Sequence, residues 1–154
     1  IVGACHYRRH FLLPDNWIRL FEDNNVDVIL PVPLFVAPSI EANYVSRHLE
    51  KPWNTMLSII KEKDEKQYER AKEFLSKTGC FSPCNMIIAR KSVYDEFCSW
   101  LFPIILEVNK RIGTVDDKYQ NRYPGFMAER MLSFYFYDNR DKLKVVYADK
   151  NFLK

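Results

Sequence analysis

Short apolar runs at residues 1–7, 26–30, 85–90 and 144–148 alternate with stretches whose apolar residues recur at helical spacing, and that alternation predicts an α/β layer domain. Composition agrees, since hydrophobic residues make up 47% of the 154 and charged residues 28%, a globular balance with material for a core. The length suits one domain, taken here as residues 1–154. Ile1-Val2-Gly3-Ala4-Cys5 opens the chain at full hydrophobic density without a Met. Termini are usually solvated, so the expectation is that an upstream part of a larger domain is missing.

Ile1 to Tyr7 reads as a buried strand that ends in the polar cluster His6-Tyr7-Arg8-Arg9-His10. Residues 14–24 are helical or irregular, Pro14 being a suitable helix start and Asn24-Asn25 a break. Val26 to Leu30 is a second strand, and prolines 31, 33 and 38 confine the next stretch to an edge or a loop. From Ser39 a helix pattern carries Ile40, Tyr44, Val45 and Leu49 on one face, with Pro52 separating it from a second helix over 54–77. Between Lys61 and Lys77 acidic and basic residues alternate, pairing Glu62 with Lys66 and Glu73 with Lys77 four apart on a solvated surface. Gly79 to Pro83 is a turn before the strand Asn85 to Arg90. Ser92 reads as the N-cap of a helix with Asp95 and Glu96 in its first turn, and Val93, Phe97, Trp100, Leu101, Ile104, Ile105 and Val108 form its stripe; Pro103 should kink it. A polar loop at 113–125, a helix from Phe126 and a strand from Lys144 to Ala148 complete the chain.

Several functions are excluded early. Four glycines cannot write a Walker or dinucleotide-binding loop. A formal charge of +3 is too small to imply nucleic acid. No apolar run reaches the ~18–20 residues of a membrane span. Cys80 and Cys84 would be half of a zinc site without a second half, so the four cysteines are expected to be reduced, buried thiols with no metal.

Three constellations carry chemistry. Arg8 and Arg9, with His6 at a strand's carboxyl end, offer planar charged forks suited to phosphate, although such a cluster alone is more often a basic surface turn. In the run from Arg122 to Met131, Gly125 would let a ligand approach the backbone or adopt positive φ. Glu129, placed near the first turn of its helix, is either a dipole-stabilised surface carboxylate or a general base with a raised pKa. Asp116-Asp117 is either a solvated loop or an oxygen-rich cation site.

Taken together, five ordered motifs resemble one family. They are Ile1 to Phe11 with His6-Tyr7-Arg8-Arg9, Asp27 to Pro31, Tyr44-x-x-x-His48, Asn85-Met86-Ile87-Ile88 through Trp100-Leu101-Phe102-Pro103, and Arg122 to Arg130. The family is that of the bacterial capsular and exopolysaccharide-biosynthesis glycosyltransferases, long catalogued as a domain of unknown function. The resemblance implies a GT-A-like mixed sheet flanked by helices, here lacking the first strands of the nucleotide-binding half. It implies transfer of a sugar from a nucleotide-sugar donor, foremost a UDP-sugar, to a glycan acceptor. His6, Arg8 and Arg9 stand where many GT-A enzymes carry Asp-x-Asp, so the arginines would neutralise the diphosphate and a divalent metal would not be essential. Glu129 would be the catalytic base, and Asp27, His48, Asn85, Arg122, Gly125 and Arg130 would line the substrate pocket. A cytoplasmic location, with peripheral association at the inner membrane face, fits such a pathway. The alternative is a non-catalytic glycan- or nucleotide-binding fragment of such an enzyme.

Overall fold

All four residues of the strand Val28–Pro31 (β3) are buried, as a strand covered on both faces requires. The computed structural model describes residues 1–153. On one side β3 pairs antiparallel with β6 (Ile87–Ala89), which pairs antiparallel with β1 (Val2–Ala4); on the other it runs parallel to β7 (Val145–Ala148). The sheet is therefore mixed, in the order β1-β6-β3-β7. Two small antiparallel pairs flank it: β2 (Arg9–Phe11) with β8 (Lys150–Phe152), and β4 (Leu34–Phe35) with β5 (Cys80–Phe81).

Because successive strand residues point to opposite faces, the sheet feeds two cores. Val28, Leu30, Ile87 and Ala89 join the larger one with α2 (Ile40–Val45), α3 (Glu50–Lys63), α4 (Glu65–Lys77), α5 (Lys91–Ile112) and α6 (Tyr123–Asp138). Ile29 and Ile88 turn to the other face and meet Phe11 and Phe21, the latter on the short helix α1 (Arg19–Glu22). In the larger core Trp53 is fully buried, stacked on Tyr44 at 4.5 Å, with its indole N–H donating to Glu41 at 3.0 Å. The mixed α/β architecture expected from the alternation of elements is the one observed. No helix is long and apolar enough to cross a membrane among the described residues.

Several local expectations are corrected. The opening strand is shorter and less buried than its composition suggests: β1 is a half-exposed sheet edge, and the chain turns when the Arg9 N–H donates to the His6 carbonyl. Pro52 lies inside the first turn of α3, where its missing N–H has no helical partner to lose. The stretch 54–77 is broken at Asp64, which ends α3 and caps α4 by accepting the Gln67 N–H at 3.0 Å. That break parts Glu62 from Lys66, and Glu62 instead meets Arg111 of α5 through two bonds of 2.8 Å; the Glu73–Lys77 pair forms as expected, at 2.9 Å. Helix α5 starts at Lys91 with Arg90 in the capping position, so Ser92 is not its N-cap and Asp95 lies beyond the first turn. It also runs unbroken through Pro103. The lost bond would have gone to Ser99, which is exposed, while the buried stripe holds the helix on both sides.

Candidate functional site

Helix α6 begins three residues before Phe126, with Pro124 in its first turn, where proline is pre-organised for a helix. Gly125 therefore has ordinary helical backbone, without the positive φ expected of it, and Glu129 lies well past the first turn. Gly125, Glu129 and Ser133 recur every four residues and so share one face. Each holds one residue of the turn that leads into β6. The Gly125 carbonyl accepts from Asn85 Nδ2 at 3.0 Å, Glu129 Oε1 accepts the Cys84 N–H at 3.0 Å, and Ser133 Oγ accepts the Ser82 N–H at 2.8 Å. Ser82 in turn donates its hydroxyl to the Pro31 carbonyl at 2.8 Å, tying the turn to β3. The turn needs such support, because Cys84 (φ 78°) and Asn85 (φ 50°) are both left-handed. A non-glycine residue there costs roughly 1–2 kcal/mol, with asparagine the more tolerant of the two.

Between this turn, the loop after β1 and the start of α6 lies a cleft of about 600 Å³. His6, Asn85, Arg122, Gly125 and Glu129 line it, together with Tyr7. His6 Nδ1 faces the Arg8 backbone N–H at 3.2 Å and Arg9 Nη1 at 3.4 Å. Both are donors, so Nδ1 is the acceptor and the neutral ring carries its proton on Nε2. Burial, reinforced by the charges of Arg9, Arg122 and Arg8, holds the imidazole below its usual pKa. None of the ion pairs among the described residues involves these three arginines. Of the three, only Arg122 lines the cleft; Arg8 and Arg9 do not, and they reach it through His6, by the Arg8 backbone N–H and by Arg9 Nη1.

Glu129 closes the pocket from below. Burial pushes its carboxyl above the ordinary range, against the opposing pull of Arg130, the Cys84 N–H, Arg9 and Arg122. Its second oxygen accepts from Arg130 Nη1 at 3.1 Å. With one N–H on each oxygen the carboxylate keeps further lone pairs, and its side chain is 24% exposed.

The remaining candidates lie elsewhere. Arg130 is 4% exposed; it stacks on Phe81 at 4.3 Å and donates to the Phe126 carbonyl at 2.9 Å, so it acts behind Glu129 and does not line the cleft. His48 lies behind the cleft wall, stacked on Phe126 at 4.1 Å and neighbouring Tyr119 at 6.0 Å. The structure does not bring Asp27 to the cleft. The register pairs Val28 with Ala89 and Ala89 with Val2, so Asp27 sits at the opposite end of the sheet, accepting from Arg90 at 3.1 Å and from the Lys144 N–H at 2.9 Å. Asp117 accepts the N–H groups of Tyr119 and Gln120 at 2.8 and 2.9 Å, initiating a local turn. Among the described residues no three His, Cys, Asp or Glu side chains converge as ligands for a metal.

Sequence reasoning missed Cys84 as a structural partner of Glu129, and missed Phe152, whose ring lies 4.6 Å from the Arg9 guanidinium carbon. The recurrence of Gly125, Glu129 and Ser133 was the available signal for the first. For the second no local pattern existed, because the two residues lie at opposite ends of the chain.

Comparison with known proteins adds the family. The sequence profile of DUF4422, a domain of unknown function, matches residues 1–140. The chain belongs to the DUF4422 family. No curated protein sequence matches it. Among solved structures it is similar to the apo form of WbbM, described as a bifunctional glycosyltransferase, with a TM-score of 0.78 at 19% identity. The alignment covers 99% of this chain and 33% of that one, so the DUF4422 chain spans about a third of the solved protein's length and shares its fold there.

Proposed function

We propose that this DUF4422 domain is a glycosyltransferase domain that transfers a sugar from a nucleotide-sugar donor to a glycan acceptor, and that its cleft handles the leaving group and the acceptor hydroxyl. One observation carries the reading: His6, held by Arg9, and Arg122 share a cleft with the half-buried carboxylate of Glu129, whose pKa burial raises. A nucleoside diphosphate departing from a sugar develops negative charge that must be stabilised, and fixed cations in a cleft do that. A carboxylate whose pKa is raised is a better base towards a hydroxyl than an ordinary glutamate. Glu129 is accordingly assigned the base role in an inverting transfer, Arg8 and Arg9 the diphosphate, and Asn85, Arg122 and the exposed Gly125 backbone the substrate. His48 and Arg130 are reassigned from the pocket to its support. The similarity in fold to WbbM, described as a glycosyltransferase, supports the class of reaction. A bacterial capsular or exopolysaccharide pathway, a UDP-sugar donor and a cytoplasmic site remain part of this proposal on the strength of the sequence motifs.

The test is calorimetric binding of a panel of nucleoside diphosphates, with magnesium, with manganese and with EDTA. Tight binding of one nucleotide that survives EDTA supports the arginine-based site, and complete loss of binding and transfer on chelation overturns it. A second reading, a binding fragment without catalysis, is favoured by the engagement of both Glu129 oxygens in hydrogen bonds. Glu129→Gln separates the two: retained nucleotide binding with abolished transfer assigns the base, and unchanged turnover removes it.

A further inference from the structure

Residues 141–153 lie beyond the stretch matched by the family profile, yet they pair with the strand that carries Arg9. In β8, Phe152 stands opposite Arg9, Asn151 opposite His10 and Lys150 opposite Phe11. Two more backbone bonds lengthen this ladder: the Leu12 N–H donates to the Asp149 carbonyl at 2.8 Å, and the Leu153 N–H to the Arg8 carbonyl at 2.9 Å. Strand β2, which begins at Arg9, has β8 as its strand partner.

The side chains repeat the relationship. The Arg9 guanidinium carbon lies 4.6 Å from the centre of the Phe152 ring, and from that position Nη1 reaches His6. Arg9 Nε is buried and has no hydrogen-bond partner. A ring face orients a guanidinium without neutralising it, unlike a carboxylate, which would compete with any anion.

We propose that β8 is part of the anion-binding site and that Phe152 is a positioning residue, its ring holding Arg9 toward His6 so that a diphosphate meets a preset donor. The inference rests on reading the cleft as a diphosphate site and extends that reading to a strand outside the family match. Preorganising one arginine in this way affects affinity through the cost of ordering it. A cation–π contact at an exposed position is worth a factor of roughly two to five in binding.

The test uses the full chain with Phe152→Ala and Phe152→Tyr, probed with pyrophosphate and UDP by calorimetry, and with the His6 titration followed by NMR. Phe152→Ala should bind both probes about two- to fivefold more weakly, raise KM for the donor with little change in kcat, and let His6 titrate closer to its ordinary value as Arg9 swings away. Phe152→Tyr should restore all three. Normal binding by the parent chain, with neither affinity nor the His6 titration altered in Phe152→Ala, overturns the role of β8 alone. Failure of the parent chain to bind either probe overturns the diphosphate reading, and the role of β8 in it, even where the His6 titration moves.

Discussion

Glu129 on α6 and Cys84 in the turn before β6 are joined by a hydrogen bond of 3.0 Å from the Cys84 N–H to Oε1. The same carboxylate that faces the cleft therefore also holds a left-handed residue in place. Chemistry and scaffold are coupled at one side chain, and the consequences can be measured separately.

Glu129→Ala is expected to lower stability by about 2–4 kcal/mol, somewhat under the value for breaking a fully buried pair, because Glu129 is partly exposed. It strands Arg130, which is buried at its guanidinium, and orphans the Cys84 N–H. Urea denaturation of the two proteins measures it; a difference under 1 kcal/mol would show that Arg130 finds solvent or another partner.

Ser133→Ala removes the acceptor of the buried Ser82 N–H without touching the cleft. The expected cost is about 1–3 kcal/mol, the penalty for leaving a buried donor unpaired. Ser133→Thr keeps the hydroxyl and should recover most of it, as thermal denaturation would register.

Arg8→Lys and Arg9→Lys preserve charge but remove the planar fork. Each is expected to weaken diphosphate binding by about tenfold, and Arg9→Ala to slow transfer by on the order of a hundredfold, within the range for loss of one transition-state donor. Steady-state kinetics with a nucleotide-sugar donor would show it, and a loss equal in Arg19→Ala, on the short helix α1, would mean that only net charge matters.

Acid sensitivity is expected to come in part from His48. Burial and the Arg130 charge, then Arg47, lower its pKa from 6.5, while a contact with Gln120 opposes them. Between pH 6.5 and the lower folded value the unfolded chain binds the proton and the folded chain does not, so stability falls as the pH drops through that window. Glu129, with its pKa raised, acts with the opposite sign, since the folded state regains stability as that carboxyl protonates. Comparing melting temperatures of the parent chain and His48→Gln across pH 5 to 8 isolates the histidine: the drop should be shallower in the variant.

Trp53→Ala should cost about 3–5 kcal/mol, as for other large aromatic truncations in a core. Phe35→Ser, at a site 92% exposed, should change stability by under about 0.5 kcal/mol. Denaturant midpoints of the two variants test whether the larger core is as tightly built as the Tyr44–Trp53 stack indicates.

Much of the element layout was legible locally. Ser39 caps α2 by accepting the Ala42 N–H at 3.1 Å, β7 falls where the last apolar run ends, and the apolar spacing of α5 is the stripe that is buried. These features depend on neighbours a few residues away, so side-chain pattern and capping chemistry suffice to specify them. The cleft was legible in part: His6, Asn85, Arg122, Gly125 and Glu129 do converge, while Asp27 does not. Alternation marks which faces of a strand are apolar but not which strand lies beside it, so the order β1-β6-β3-β7 and the far-edge position of Asp27 were decided only by packing. The same holds for the pairing of β8 with β2 and for the left-handed backbone of Cys84, which Glu129 stabilises from 45 residues away. Sequence by itself determined the local elements and the chemical groups. Tertiary structure decided which of those groups meet, because long-range pairing follows from the burial of whole faces and not from any local signal.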